Sequence, residues 1–236
     1  MNCLEIEQLA FERDDTTLFE GLDAKWQAGA IVQLAGRNGS GKTTLLRCIT
    51  GLLHPATGSI RWNQRDVNSY EFRSSLLYLG HQVGIKLSMT PMENLRWYFG
   101  LNGDKSVGTS GARTLTHDFL LKGLELVGLG AFADIPCQQL SAGQKRRAAL
   151  ARLYCSKAPV WLLDEPFTAI DKSGVAQLEQ CIEAHANAGG IVVLTTHQRW
   201  NATKIQEFDI EAFQPRLVAG SFNRTEAEVN KGHAHE

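Results

Sequence analysis

The stretch IVQLAGRNGSGKTTLLRCITGLL, Ile31 to Leu53, decides the architecture of this 236-residue chain. Its first five residues are a short apolar run, which suits a strand buried on both faces. Its last eleven carry apolar residues at helical spacing. Between them, GRNGSGKTT at 36–44 fits the pattern G-x-x-x-x-G-K-[ST], and strand, glycine-rich loop and helix follow in the order that a phosphate cradle requires. Gly36, Gly39 and Gly41 let the backbone curl, so that the loop from Gly36 through Arg37, Asn38 and Ser40 turns its N–H groups inward. The helix start adds about half a positive charge. Lys42 supplies a full charge for the β- and γ-phosphates of a nucleotide, Thr43 a hydroxyl for Mg²⁺, and Thr44 a contact to an outer phosphate. The competing reading is a glycine-rich turn with a chance lysine, and the flanking strand and helix argue against it.

Working outward, similar apolar runs stand at Leu76 to Leu79, Val160 to Leu163 and Ile191 to Leu194. Helical patterns separate them, with Thr43 to Leu53 and Gly174 to Asn187 the clearest. Alternation of this kind predicts an α/β fold around a parallel sheet. Residues 3–11 and 58–67 alternate apolar and polar, the pattern of half-buried antiparallel strands. The segment 102–118, NGDKSVGTSGARTLTHD, reads as a loop between helical patterns such as HDFLLKGLELVGL and QKRRAALARLY. These features predict a core over 1–89 and 157–214, a helical insert over 90–156 and a mobile polar tail over 215–236.

Asp164 and Glu165 directly follow the run Val160 to Leu163. Ligands of open α/β sheets gather at the carboxyl ends of strands. There Asp164 is suited to the Mg²⁺ shell and Glu165 to the general base that takes a proton from water. An acidic pair in a solvated turn is the alternative. His197 closes the run IVVLTTH, either as a structural histidine or as a group reaching the terminal phosphate.

LSAGQ at 140–144 narrows the class. Ser141 and Gln144 form the S-x-x-Q pattern of a helix start. Lys145, Arg146 and Arg147 then place cations in the first turns, against the helix dipole, as expected where an anion will sit. GRNGSGKTT, LSAGQ and LLDEP in this order resemble the ABC ATPase domain over nearly the whole chain. That resemblance implies a P-loop NTPase with a mostly parallel RecA-like core, an N-terminal antiparallel β subdomain and an inserted helical subdomain. It makes Gln82 the Q-loop residue, a catalytic and Mg²⁺-contacting group, Thr168 to Asp171 the D-loop, and His197 the switch histidine. Glu165, His197, Lys42 and Gln82 become the catalytic set, with Thr43, Gln82 and Asp164 around the metal. It also implies a head-to-tail dimer with a second copy of the chain. Ser141, Gly143 and Gln144 of each copy would then grip the ATP held by the other. Two positions depart from the family pattern. Ala142 replaces a glycine of the signature, and Arg13 stands where an aromatic ring usually stacks on adenine; an arginine plane or Phe11 could serve instead.

Within that family, YLGHQVGIK at 78–86, ENLRWY at 93–98, LSAGQKRRAALARL at 140–153 and LTTHQ at 194–198 are similar to the haem-exporter ATP-binding branch that serves cytochrome c maturation. The resemblance implies a peripheral place on the cytoplasmic face of a bacterial inner membrane. The implied partners are an integral subunit of the CcmB type and subunits of the CcmC and CcmD types. ATP turnover in such a complex is linked to release of a haem-loaded chaperone. The chain's own histidines His233 and His235 are not expected to ligate haem. Val83, Ile85, Leu87, Met89 and Met92 read either as a docking groove for the membrane partner or as an internal packing strip. A subunit of another small-molecule transporter is the near rival. A soluble ABC-type ATPase acting on nucleic acid or ribosomes is the distant one, and the formal net charge of −1 argues against it.

Hydrophobic residues make up 43%, enough for a sizeable core. The acidic, alternating start is unlike a signal peptide, and no apolar run approaches the roughly 18 residues of a membrane span. Five cysteines without a CxxC pair predict reduced, buried thiols.

Overall fold

The computed structural model describes residues 2–14, 16–82, 84–101, 116–198, 200 and 205–215. The expected tail beyond Pro215, with its two terminal histidines, and most of the 102–118 loop lie outside them. Five strands form a parallel sheet in the order β6-β7-β8-β3-β9. They are β3 (Ile31–Ala35), β6 (Leu76–Leu79), β7 (Val160–Asp164), β8 (Ile191–Thr195) and β9 (Ile205–Asp209). Every residue of β7 and β8 is buried, as continuous apolar runs require when both faces of a sheet are covered.

The period of two divides those side chains between two cores. Trp161, Leu163, Val192 and Leu194 pack with α3 (Pro91–Leu101), α4 (His117–Leu126), α5 (Ala142–Cys155) and α6 (Lys172–Asn187). Val160, Leu162, Ile191 and Val193 pack with α1 (Lys42–Ile49), with Phe72 of α2 (Tyr70–Ser74) and with a second, antiparallel sheet. That sheet has the order β2-β1-β4-β5, from β1 (Cys3–Arg13), β2 (Thr16–Gln27), β4 (Thr57–Trp62) and β5 (Arg65–Asp66). Leu4, opposite both Trp26 and Trp62, is fully buried at its centre.

Several boundaries differ from the sequence reading. Residues 58–67 are not one strand, because Asn63 and Gln64 take φ of 49° and 68° and turn the chain into a β4–β5 hairpin. The helix expected to run to Leu53 ends at Ile49. Gly51, at φ 73°, reverses the chain there, and Leu52 and Leu53 both donate to the carbonyl of Arg47. Strand β2 lacks clean alternation and is interrupted by Gly21 at φ 63°. Edge strand β9 is short and polar, so neither had a clear periodic signature.

Cys48, Cys137 and Cys155 are buried, Cys3 and Cys181 half-buried, and none is in a disulfide. Burial pushes the thiols of Cys48, Cys155 and Cys181 up to about 12. Among the described residues no helix is long and apolar enough to cross a membrane. The apolar residues after Gln82 divide. Met92 is a core residue at 2% exposure, Ile85 packs against the same core, and Leu87 is 52% exposed. Val83 lies outside the described residues.

Candidate active site

The parallel register brings the carboxyl ends of β3, β7 and β8 side by side, and a cleft of about 460 Å³ opens over them. Asn38, Gly39, Gly41, Lys42, Thr43 and Thr44 line one wall, from the loop after β3 and the first turn of α1. Gly41, at φ 103°, leads into α1 and offers no side-chain cap, so the helix's first N–H groups are left for a ligand. Gly36 sits at φ 134°; a Cβ there would meet Ser40 Oγ at 2.6 Å and Ile210 Cγ2 at 3.0 Å, so only glycine fits beneath the loop. Ser40 is buried below the loop and Arg37 is exposed, and neither lines the cleft. Arg37 is tied to Glu211 in the 3-10 turn that follows β9, with Nε donating to Oε1 at 3.1 Å. That contact, backbone N–H first, holds the Glu211 carboxyl below its ordinary value.

Lys42 reaches over its own loop, where Nζ donates to the carbonyls of Gly36 and, at 2.9 Å, Arg37. Asp164, 3% exposed, is a buried carboxylate with a hydroxyl partner on each oxygen. Thr43 Oγ1 donates to Oδ2 at 2.9 Å and Thr195 Oγ1 to Oδ1 at 2.8 Å. Thr195 Oγ1 in turn accepts from the backbone N–H of Glu165 at 2.8 Å. Glu165 has φ 51°, a left-handed conformation uncommon for a residue with a side chain. It lines the cleft together with His197, whose Nε2 lies 3.6 Å from Glu165 Oε1. Of the two sequence readings of His197, a structural histidine or a group reaching the terminal phosphate, the second agrees with this position on the cleft.

Other expected residues fall elsewhere. Gln82 is exposed and does not line the cleft, whereas its neighbour His81 does. Arg13 lies at the rim with Leu18, and Phe11 packs on Phe19 instead, ring centroids 6.2 Å apart. Ser141, Gly143 and Gln144 do not line this cleft. They start α5 through a reciprocal cap: Gln144 N–H donates to Ser141 Oγ at 3.2 Å, and Ser141 N–H to Gln144 Oε1 at 2.8 Å. Ala142 is exposed, so its extra methyl meets no crowding within the chain, while a Cβ on Gly143 would lie 3.1 Å from the carbonyl of Ala169.

Of Lys145, Arg146 and Arg147, whose position against the helix dipole had suggested a nearby anion, Arg146 is turned into the protein. Arg146 is buried and, among the described residues, donates to the backbone carbonyls of Gly80, His81, Asp164 and Glu165. Arg152 is buried too, donates to the carbonyl of Gly84 at 2.6 Å and stacks on Tyr98 at 4.4 Å. Thr195, Arg146 and His81 thus belong to the site, although the only sequence signal for Arg146 was its unfavourable place on the helix.

A phosphate-binding loop, a strand-end carboxylate pair and an LSAGQ helix start on one parallel core define an ABC-type ATPase. The ABC transporter family model matches residues 19–168, and the chain belongs to that family. It is 52% identical over 210 residues to the Cytochrome c biogenesis ATP-binding export protein CcmA of Saccharophagus degradans, covering 89% of this chain and 94% of that one. To the protein of the same name in Escherichia coli O157:H7 it is 44% identical over 220 residues, covering 92% and 100%. Among ABC proteins the chain belongs with these CcmA relatives. Solved structures share the fold. An ABC transporter ATP-binding protein from Pyrococcus furiosus aligns with TM-score 0.76 at 22% identity over 90% of this chain and 100% of that one. A dimeric bacterial ABC transporter cassette aligns with TM-score 0.73 at 22% identity over 88% and 95%.

Proposed function

We propose that this chain is the ATP-hydrolysing subunit of a haem-export complex of cytochrome c maturation, working as a head-to-tail pair at the inner face of a bacterial inner membrane. Its membrane partners would be a CcmB-type integral subunit with CcmC- and CcmD-type subunits. The observation that carries the enzymatic part is one cleft that unites Lys42, Thr43, Asp164, Glu165 and His197.

The residues suit MgATP. The Thr43 hydroxyl and the Asp164 carboxylate meet at 2.9 Å, and both are the hard oxygen donors that Mg²⁺ prefers. When bound, Mg²⁺ would neutralise charge on the β- and γ-phosphates. Gln82 would join that shell by movement of its loop. The loop N–H groups and Lys42 bind the phosphates, with Lys42 exchanging its loop carbonyls for phosphate oxygens. Glu165 accepts a proton from the attacking water, and His197 orients that water beside it. Arg13 offers its guanidinium plane to the base at the rim.

Ser141, Gly143 and Gln144 have no role in their own cleft. Their position outside it supports a pairing in which the helical segment 90–156 carries them to the partner's nucleotide. Glu165→Gln tests the reading: it should bind MgATP normally and hydrolyse it about 10²–10⁴-fold more slowly. Cells carrying it should lack holo-cytochrome c. Wild-type turnover would remove Glu165 as base, and normal holo-cytochrome c alongside lost turnover would remove the pathway.

A further inference from the structure

Arg146 is 7% exposed, yet among the described residues its guanidinium meets no carboxylate oxygen at bonding distance. Nη1 donates to the carbonyls of Gly80 at 3.2 Å and His81 at 3.4 Å, and Nη2 to those of Asp164 at 3.1 Å and Glu165 at 2.7 Å. Burying a cation against neutral carbonyls is costly in a way that an apolar side chain would not be. What it holds is a strained peptide. Glu165 sits at φ 51°, a conformation that persists only when its surroundings enforce it. The N–H of Glu165 is fixed by Thr195 Oγ1, and its carbonyl by Arg146 and, at 3.3 Å, by the N–H of Thr168. The same guanidinium fork grips the loop that carries His81 into the cleft.

We infer that Arg146 is a positioning residue, which locks the Glu165 peptide in its left-handed turn and so ties the alignment of the base to helix α5. The inference rests on the proposed role of Glu165. Because α5 begins with Ser141, the helix end that would face the partner's nucleotide is braced through Arg146 on the chain's own hydrolytic centre. Lysine cannot replace it fully, since one ammonium has no planar fork to span two pairs of carbonyls.

A double-mutant cycle tests this. Arg146→Gln should lower kcat for MgATP at least about tenfold while KM stays within about threefold. Added to Glu165→Gln, it should cost less than about threefold more, because the group it positions is already gone. Arg146→Lys should recover part of kcat. Unchanged kcat in Arg146→Gln, or losses that multiply fully in the double variant, would overturn the assignment. If Arg146→Gln melts below the assay temperature, Arg146→Lys enters the cycle in its place. Unfolding of both would reduce Arg146 to a requirement of the fold, which also overturns it. A Glu165→Gln single variant with wild-type turnover would instead strike the general-base reading, an outcome distinct from failure of the cycle.

Discussion

Thr195→Val isolates the polar joint beneath the candidate site. Thr195 is 1% exposed, and valine has nearly its shape, so the change opens no cavity. It removes the hydroxyl that donates to Asp164 Oδ1 at 2.8 Å and accepts from Glu165 N–H at 2.8 Å. The bond to the charged carboxylate contributes about 1.5–3 kcal/mol and the neutral one about 1 kcal/mol. Asp164 keeps Thr43 as a partner, which limits the loss on that side. A destabilisation of about 3 kcal/mol follows, equivalent to a fall in Tm of roughly 6–12 °C for a chain of this size. Urea titration should show a lower midpoint with an unchanged slope. Thr195→Ser keeps the hydroxyl, loses one methyl and should cost only about 1 kcal/mol. Turnover should fall in the valine variant and survive in the serine variant. A valine variant as stable as the parent, or a serine variant as unstable as the valine one, would refute the reasoning.

Two further outcomes are expected. His185 stacks on Trp161 with ring centroids 3.7 Å apart, and burial pushes its imidazole down from 6.5 to about 4. A base held neutral by the fold stabilises it fully above pH 6.5 and loses that contribution as pH falls from 6.5 towards 4, roughly 2 kcal/mol by pH 5. The melting temperature of His185→Phe should therefore decline less between pH 7.5 and pH 5 than that of the parent, and equal declines would contradict it. If two copies enclose the nucleotides head to tail, mixing Lys42→Ala chains with Ser141→Ala chains should rebuild one intact site in each mixed pair. About a quarter of the parent ATPase rate should return, and a mixture as inactive as its components would argue against shared sites.

The order of letters in 31–53 was enough to place a strand, a phosphate-binding loop and a helix, because each rests on neighbours within a few residues. The same holds for the fully apolar strands β7 and β8 and for the cap between Ser141 and Gln144. Strands β2 and β9 were not legible, since broken alternation and an edge position leave no periodic trace. The candidate site depended on the fold more heavily. Thr195 stands opposite Asp164 only through parallel register, and Arg146 reaches the ends of β6 and β7 only because α5 packs beside them. The exchange of Gln82 for His81 along the cleft is likewise set by how one loop is held. Local sequence determines which groups carry the chemistry. Which of their atoms come within bonding distance is decided by long-range packing, which brings together residues that share no local pattern.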